Sequence, residues 1–415
     1  MNILINTYAC GPSQGSEPGM AWRWVSGIAR YHHVYVITDN EFLIEIEEEM
    51  QMLPYASNIH LYYNPVPERV REMCRNQGDY RFYYYYKDWQ KKSYHIAEDI
   101  VCQNKIDIIH HLNLICFREP GYLWRIKGIP YVWGPIGGLN IVPLKYLSNM
   151  PIKVRAKYLF KNCVNKLQIR YDQRVNKAAE RSDMMLAANG EAYRILRKKY
   201  PKKMVQLMNE AGCEIDSRSV VEISQSRYFD ILWVGRLLPT KLLGLALDVI
   251  SEIKDLHNIR FHVIGSSVNQ EDIDYYKSKA EQLGVGKICE WHGLIPHDEV
   301  QRMMASSKIL LFTSVSEGTP HVVMEAIANR LPVVCFDMCG QGDVVTEDVG
   351  CKIPLSSPLQ SVKDFADTIR KLYHDNFLLE KKSRQCVELI EKLSWDGKVQ
   401  TMLDIYRQLV EEKIM

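Results

Sequence analysis

Two basic residues, Arg236 and Lys241, follow the apolar run Phe229–Val234 and flank a short Leu-Leu-Pro-Thr turn after Gly235. Lys241 stands where the next helical stretch begins. A cation at a helix N-terminus meets partial positive charge already present there, and a bound polyanion would relieve the conflict. Either residue alone could be a solvated surface charge; together they point to an anionic ligand. Farther along, Ser314-Val315-Ser316-Glu317-Gly318-Thr319-Pro320-His321 follows a second apolar run, Ile309–Phe312. Thr319 is placed to N-cap a helix whose first residue is Pro320, where the missing proline N–H costs nothing. The amides of Gly318, Thr319, His321 and Val322 would then face outward as an anion site. Glu317 precedes that helix and Glu325 comes eight residues later, about two turns along. Carboxylates so far apart do not share a proton; they suit two hydroxyl-bearing parts of one ligand. Val322, Val323, Met324, Ala326 and Ile327 flank Glu325, which argues against a merely solvated glutamate.

These residues need a scaffold that gathers loop ends. Short β-branched runs alternate with longer helical stretches throughout, the pattern of parallel sheets with crossover helices. Strands are expected at Ile3–Thr7, Val34–Thr38, Ile59–Tyr63, Ile106–His110, Tyr131–Trp133 and Met184–Ala187. A second set is expected at Phe229–Val234, Arg260–Ile264, Lys287–Trp291, Ile309–Phe312, Pro332–Phe336 and Cys351–Ile353. In such sheets ligands sit beyond the carboxyl ends of the strands, which is where Gly235, Arg236, Lys241 and Glu317 fall. Leu242, Leu245, Ala246, Val249, Ile250, Ile253 and Leu256 recur at helical steps and give one intervening helix an apolar face. The segment Val205–Tyr228 is polar and poorly periodic, so the domain boundary is placed there.

The pair of motifs, Gly235-Arg236 with Lys241 and Glu317 with Glu325-Ala326, resembles the retaining glycosyltransferases of family 4, of the bacterial surface-polysaccharide type. The resemblance continues through Ile309–Ser314, Pro332–Asp337 and a closing helix from Trp395. It implies a GT-B α/β fold, two Rossmann-like β/α/β domains facing each other across a cleft. The expected division is an acceptor-side domain over 1–205, a nucleotide-sugar domain over 206–392 and a helix over 393–415 returning to the first. By the same resemblance Arg236 and Lys241 hold the donor diphosphate, Glu317 meets the donor sugar, Glu325 meets the ribose, and the loop at Leu294 and Ile295 touches the base. No cofactor beyond the nucleotide sugar and no metal are implied, and the chain shows no Asp-x-Asp motif.

In the first half, Gly11-Pro12-Ser13-Gln14-Gly15-Ser16-Glu17-Pro18-Gly19 joins a strand to a helix. This string and Trp133–Gly138 resemble one branch of the family, which would put Gly15 and Ser16 near the diphosphate. His110 and His111 stand where the family has a sugar-contacting histidine. The resemblance favours His111 as the contact and His110 as its support; a buried, hydrogen-bonded histidine is the plain alternative. The run Tyr80, Phe82, Tyr83–Tyr86, Trp89 could line an acceptor groove or pack a core, and core is favoured.

Composition sets outer bounds. At 415 residues two domains are expected. A net charge of +2 singles out no nucleic acid partner. Between Lys145 and Arg181, however, ten lysines and arginines meet only Asp172 and Glu180, a local balance of +8, with Tyr158, Leu159, Phe160, Val164, Leu167 and Ile169 interleaved. That pattern suits a helix docking on an anionic membrane, or a solvated helix face. Eleven cysteines without a C-x-x-C pair fit a reducing compartment. The opening Asn2–Asn6 reads as a strand rather than a leader, and no run of about 18 apolar residues occurs. A cytoplasmic protein, peripheral at the inner membrane face, is the expectation. Competing functions are another GT-B enzyme, such as a nucleotide-sugar epimerase or an inverting transferase, and a non-catalytic nucleotide-sugar-binding protein. A dinucleotide oxidoreductase fits less well, because the first loop lacks G-x-G-x-x-G.

Overall fold

The computed structural model describes the chain except residues 13, 15, 76–78, 149, 214–226, 268, 319 and 415. Its strands are β1 (Asn2–Thr7), β2 (His33–Thr38), β3 (Ile59–Tyr63), β4 (Ile108–Asn113), β5 (Tyr131–Ile136), β6 (Met184–Ala187), β7 (Met204–Leu207), β8 (Phe229–Val234), β9 (Ile259–Ile264), β10 (Cys289–Gly293), β11 (Ile309–Phe312), β12 (Val333–Phe336) and β13 (Gly350–Ile353). The helices that matter below are α1 (Ser16–Ala29), α2 (Phe82–Gln103), α3 (Ile152–Tyr171), α4 (Leu243–Glu252), α5 (His297–Ser306), α6 (His321–Ala328) and α7 (Trp395–Ile414).

The chain divides into two compact units, Met1–Leu139 with Val164–Ala211 and Trp395–Met415, and Asn140–Cys163 with Gly212–Ser394. The first holds a seven-stranded sheet in the order β3-β2-β1-β4-β5-β6-β7; the second holds six strands in the order β10-β9-β8-β11-β12-β13. Every pairing is parallel, including β1 with β2 and β4, and β8 with β9 and β11. Each sheet therefore reverses its strand order once, β1 against β4 and β8 against β11, and a Rossmann-like sheet binds ligands at that reversal. The inner strands of both sheets are buried on both faces, which is why they read as near-continuous apolar runs.

Several elements depart from the sequence expectation; β5 runs three residues longer than expected, to Ile136, and β10 lies two residues later, at Cys289–Gly293. β7 pairs in register with β6, Met184 across from Met204. Its four residues form a half-exposed sheet edge and carry no apolar run, so the segment from Val205 reads as linker. β4 starts at Ile108 and continues through both histidines to Asn113, all buried. A buried strand can absorb polar residues when each finds a partner. The helix after Glu317 begins at His321, with Pro320 as its N-cap residue rather than its first helical residue.

The segment Asn140–Cys163 packs in the second unit. Val142, Tyr146 and Leu147 enter the core formed by β8, β11 and α4. The Tyr146 ring meets Phe336 edge-on at 5.4 Å and its hydroxyl lies 2.8 Å from Ser361 Oγ. α7 packs in the first unit, where Val399, Met402, Leu403, Tyr406 and Leu409 are buried with Trp24 and Val25. Each such buried side chain contributes about 1.5–3 kcal/mol. In the aromatic run, Phe82, Tyr86 and Trp89 fall on one face of α2 and pack around Tyr8, while Tyr80 and Tyr84 are exposed. All eleven cysteines are free thiols. Among the described residues no helix is long and apolar enough to cross a membrane.

Candidate functional site

The loops leaving β8 and β11 meet at the reversal point of the second sheet. After β8 the chain passes Gly235 and Arg236 and makes a 3-10 turn, Pro239–Lys241. Leu242 then takes the left-handed conformation, φ 51°, and α4 begins. The elbow is tied to the β11 loop from below. Val315 N donates to the Thr240 carbonyl at 2.9 Å, and Thr313 Oγ1 donates to the Lys241 carbonyl at 2.8 Å. Trp233 Nε1 in turn donates to Thr313 Oγ1 at 3.2 Å. Gly265, after β9, presses on this elbow; at φ +135° a Cβ there would lie 1.9 Å from the Gly235 carbonyl oxygen. Only glycine fits such an approach.

The elbow brings Lys241 onto Glu317. Lys241 Nζ contacts Glu317 Oε1, with the two side chains 18% and 14% exposed. Phe312 lies under the ammonium, 5.3 Å from it to the ring centroid. Asn140 Nδ2 donates to the Glu317 carbonyl. Gly318 is exposed and Pro320 buried, while Thr319 lies outside the described residues. Gly340 backs this turn, since a Cβ on it would fall 2.1 Å from the Gly318 carbonyl oxygen. His321 is exposed and Val322 half-buried in the first turn of α6. Arg236 is exposed and has no ion-pair partner among the described residues. Gly235 lies against the Lys241 stem, 3.7 Å from Cβ position to Cδ.

Glu325 sits on α6 with its side chain one-third exposed and faces α5, where His297 Nε2 lies 3.5 Å from its Oε1. Burial raises the Glu325 pKa, and His297 acts against that rise. Ile295 is half-buried beside these residues in sequence, and Leu294 is exposed. His297, Asn140 and the Thr313 clamp escape sequence reading. Nothing in their types or spacing marks them, although His297 closely follows the Leu294–Ile295 loop.

In the first unit, Gly15 lies outside the described residues and Ser16 opens α1. Glu17 takes a contact from Ile115 N at 3.4 Å. Burial, then the nearby Glu210 carboxylate, push its pKa up to about 8. His110 and His111 are both buried within β4. His110 bridges Tyr406 Oη and the Gly134 carbonyl, each at 2.6 Å. His111 Nδ1 lies 3.1 Å from Asn6 Nδ2, which donates also to Gln90 Oε1 at 2.9 Å. Both histidines thus have partners inside the first unit.

Residues 217–392 match the family model described as glycosyl transferases group 1. That match falls within the second unit. Among curated proteins, the chain is 28% identical over 165 residues to the sulfoquinovosyl transferase SQD2 of Arabidopsis thaliana, covering 40% of this chain and 30% of that protein. It therefore spans about a third of that relative's length. It is 26% identical over 317 residues to a D-inositol 3-phosphate glycosyltransferase of Kribbella flavida, covering 71% and 73% of the two chains. A solved lipopolysaccharide outer core galactosyltransferase, WaaB in apo form, superposes with TM-score 0.64 at 14% identity, covering 98% of this chain and 100% of that one. The fold is thus GT-B, with two Rossmann-like α/β units.

Proposed function

We propose that this chain transfers a sugar from a nucleoside-diphosphate sugar to a saccharide or lipid-linked acceptor in surface-polysaccharide synthesis, with retention of anomeric configuration. The observation that carries this reading is the meeting of Lys241 and Glu317 at the strand-order reversal of the second sheet. As the glycosidic bond breaks, charge grows on the β-phosphate of the leaving group. Cations and oriented amides placed there stabilise the transition state more than the ground state. Lys241, the exposed Arg236 and the amides of Gly318, His321 and Val322 take that role. Glu317 receives a sugar hydroxyl, Glu325 the ribose, and Ile295 the base. The acceptor enters on the face of the departing phosphate, so no covalent nucleophile is needed.

The test begins with thermal unfolding in the presence of nucleotide sugars, because a ligand of the native state raises the midpoint. One donor should raise it and then be consumed with a saccharide or lipid-linked acceptor. No shift with any nucleoside diphosphate or its sugars would sink the reading. A shift without turnover would favour a binding protein, and an inverted product another GT-B enzyme.

A peripheral membrane position belongs to the same proposal. α3 exposes Ile152, Leu159, Phe160, Leu167 and Tyr171, between 52% and 80% each. Lys153, Arg155, Lys157, Lys161, Lys166 and Arg170 are exposed between them. Basic residues near an anionic surface contribute about 1 kcal/mol each, and the apolar side chains add insertion into the headgroup boundary. Vesicles rich in phosphatidylglycerol should sediment the protein at low salt, and neutral vesicles should not. Phe160→Ser with Leu167→Ser should weaken sedimentation at least tenfold; recovery of all protein in the supernatant of wild type would refute membrane docking.

A further inference from the structure

His262, Glu290 and His292 stand on the neighbouring strands β9 and β10, away from the reversal point at β8 and β11. Glu290 lies directly across from His262 in register, and His292 comes two residues after it. The register shifts between Trp291 and Gly293, so a bulge rather than plain alternation carries His292, and its ring comes to the same group as His262 and Glu290. His262 Nδ1 is 3.1 Å from His292 Nε2 and 3.2 Å from Glu290 Oε2; the latter two atoms are 4.0 Å apart. Ligands bound at about 2.0–2.1 Å to a tetrahedral Zn²⁺ lie about 3.3 Å from one another, so the three atoms are close to the required spacing.

The far side of His262 is also built. Its Nε2 lies 3.1 Å from Asp230 Oδ1, and Arg260 grips the same carboxylate with a fork of 2.6 and 2.9 Å. A carboxylate on one imidazole nitrogen fixes the tautomer and aims the other nitrogen's lone pair at a metal. With Nε2–H donated to Asp230, the Nδ1 lone pair faces both the Glu290 oxygen and His292 Nε2; a cation held by all three satisfies them, as would a proton on Nδ1. His262 is 8% exposed at its side chain, Glu290 44% and His292 26%. The trio is thus anchored on one side and open on the other, leaving room for a fourth, water ligand.

We propose that His262, Glu290 and His292 form a binding site for a divalent transition-metal ion of the Zn²⁺ class, with Asp230 and Arg260 as positioning residues. Two imidazoles and one carboxylate suit zinc better than calcium or magnesium, which prefer all-oxygen shells. The bound ion clamps the sheet-edge strand β10 to β9. The site takes no part in the transfer chemistry proposed above and stands independently of it.

The experiment uses the full chain without a histidine tag, stripped with chelator, and Zn²⁺ alone as ligand. Titration calorimetry should show one site, and Zn²⁺ should raise the unfolding midpoint. His292→Ala should abolish both effects, and Asp230→Asn should weaken binding 10–100-fold, the range for removing an orienting carboxylate. Glu290→Gln, at a half-exposed position, should also lose Zn²⁺ binding and serves as the second variant if His292→Ala fails to fold. Co²⁺ substitution separates this site from the eleven thiols, since nitrogen and oxygen ligands give no thiolate charge-transfer band. A midpoint in wild type that ignores Zn²⁺ overturns the proposal. So does binding unchanged in His292→Ala, or a Co²⁺ spectrum dominated by thiolate. If only a proton bridges the three groups, Zn²⁺ will have no effect, which also overturns it.

Discussion

Lys241→Ala is expected to lower kcat/KM for the nucleotide sugar by roughly 10–100-fold. A hydrogen bond to a charged group contributes about 1.5–3 kcal/mol, and each 1.4 kcal/mol is tenfold. The ammonium is held in place before any ligand arrives. The 3-10 turn, the left-handed Leu242 and the Thr313 hydroxyl on the Lys241 carbonyl fix its backbone, and Glu317 holds the ammonium itself. A donor diphosphate would meet a charge whose position is already set, so little ordering entropy opposes binding. The same substitution leaves Glu317, 14% exposed, without its cation. A stability loss of about 1–2 kcal/mol should accompany the kinetic one. Arg236→Ala separates the two effects: Arg236 is exposed and holds no described ion pair, so its loss should reduce donor use and leave the urea midpoint unchanged. Donor kinetics matching wild type in both variants would remove the diphosphate role.

Acid should destabilise the first unit steeply through β4. Burial pushes the His110 pKa down to about 4, with the Gly134 carbonyl acting against it. Burial, then neighbouring His110, push His111 down to about 3. In the unfolded chain both titrate near 6.5. Below pH 6.5 the unfolded chain takes up protons that the native state refuses, so stability falls as pH falls towards 4. Each histidine then costs on the order of 3 kcal/mol. Glu17 works the other way. Its native pKa of about 8 means the fold holds a proton that the unfolded chain releases above roughly 4.5, so its contribution improves as pH drops from 8. In the same unit burial also lowers the pKa of His32 and His60 and raises that of Glu119, and four histidines against two glutamates leave a net loss below pH 6.5. Urea midpoints between pH 7 and pH 4.5 should fall, and the fall should be shallower in His110→Gln. That variant also breaks the bridge from Tyr406 to Gly134 and will be weaker at pH 7. The slope, not the starting value, is the readout. Equal slopes in the two proteins would show that His110 is not the group responsible.

The loops after β8 and β11 were legible because each follows an apolar run with a local signature. Phe229–Val234 and Ile309–Phe312 are strands in the sequence and in the structure, with identical ends. Glycine, proline and charge after them mark loops without any knowledge of neighbours. The position of Pro320 was misjudged by one residue, a common uncertainty at helix ends. β7 was missed because a half-exposed edge strand gives no periodic signal, and only its hydrogen bonds to β6 define it. The histidines looked like the end of a strand, although β4 runs on through them to Asn113.

From local pattern alone came the α/β class, the alternation of strands and helices, and the loops that carry Arg236, Lys241 and Glu317. Hydrophobic period and turn chemistry are properties of neighbours along the chain, and they need no partner to be read. Tertiary structure alone decided which loops meet. Strand order set β8 beside β11, which joined Lys241 to Glu317 across an interval of many residues. It put Asn140–Cys163 in the second unit and α7 in the first. It also aligned His262 with Glu290 and His292. Register and burial are fixed by contacts between distant segments, whose energies depend on geometry that no local window contains.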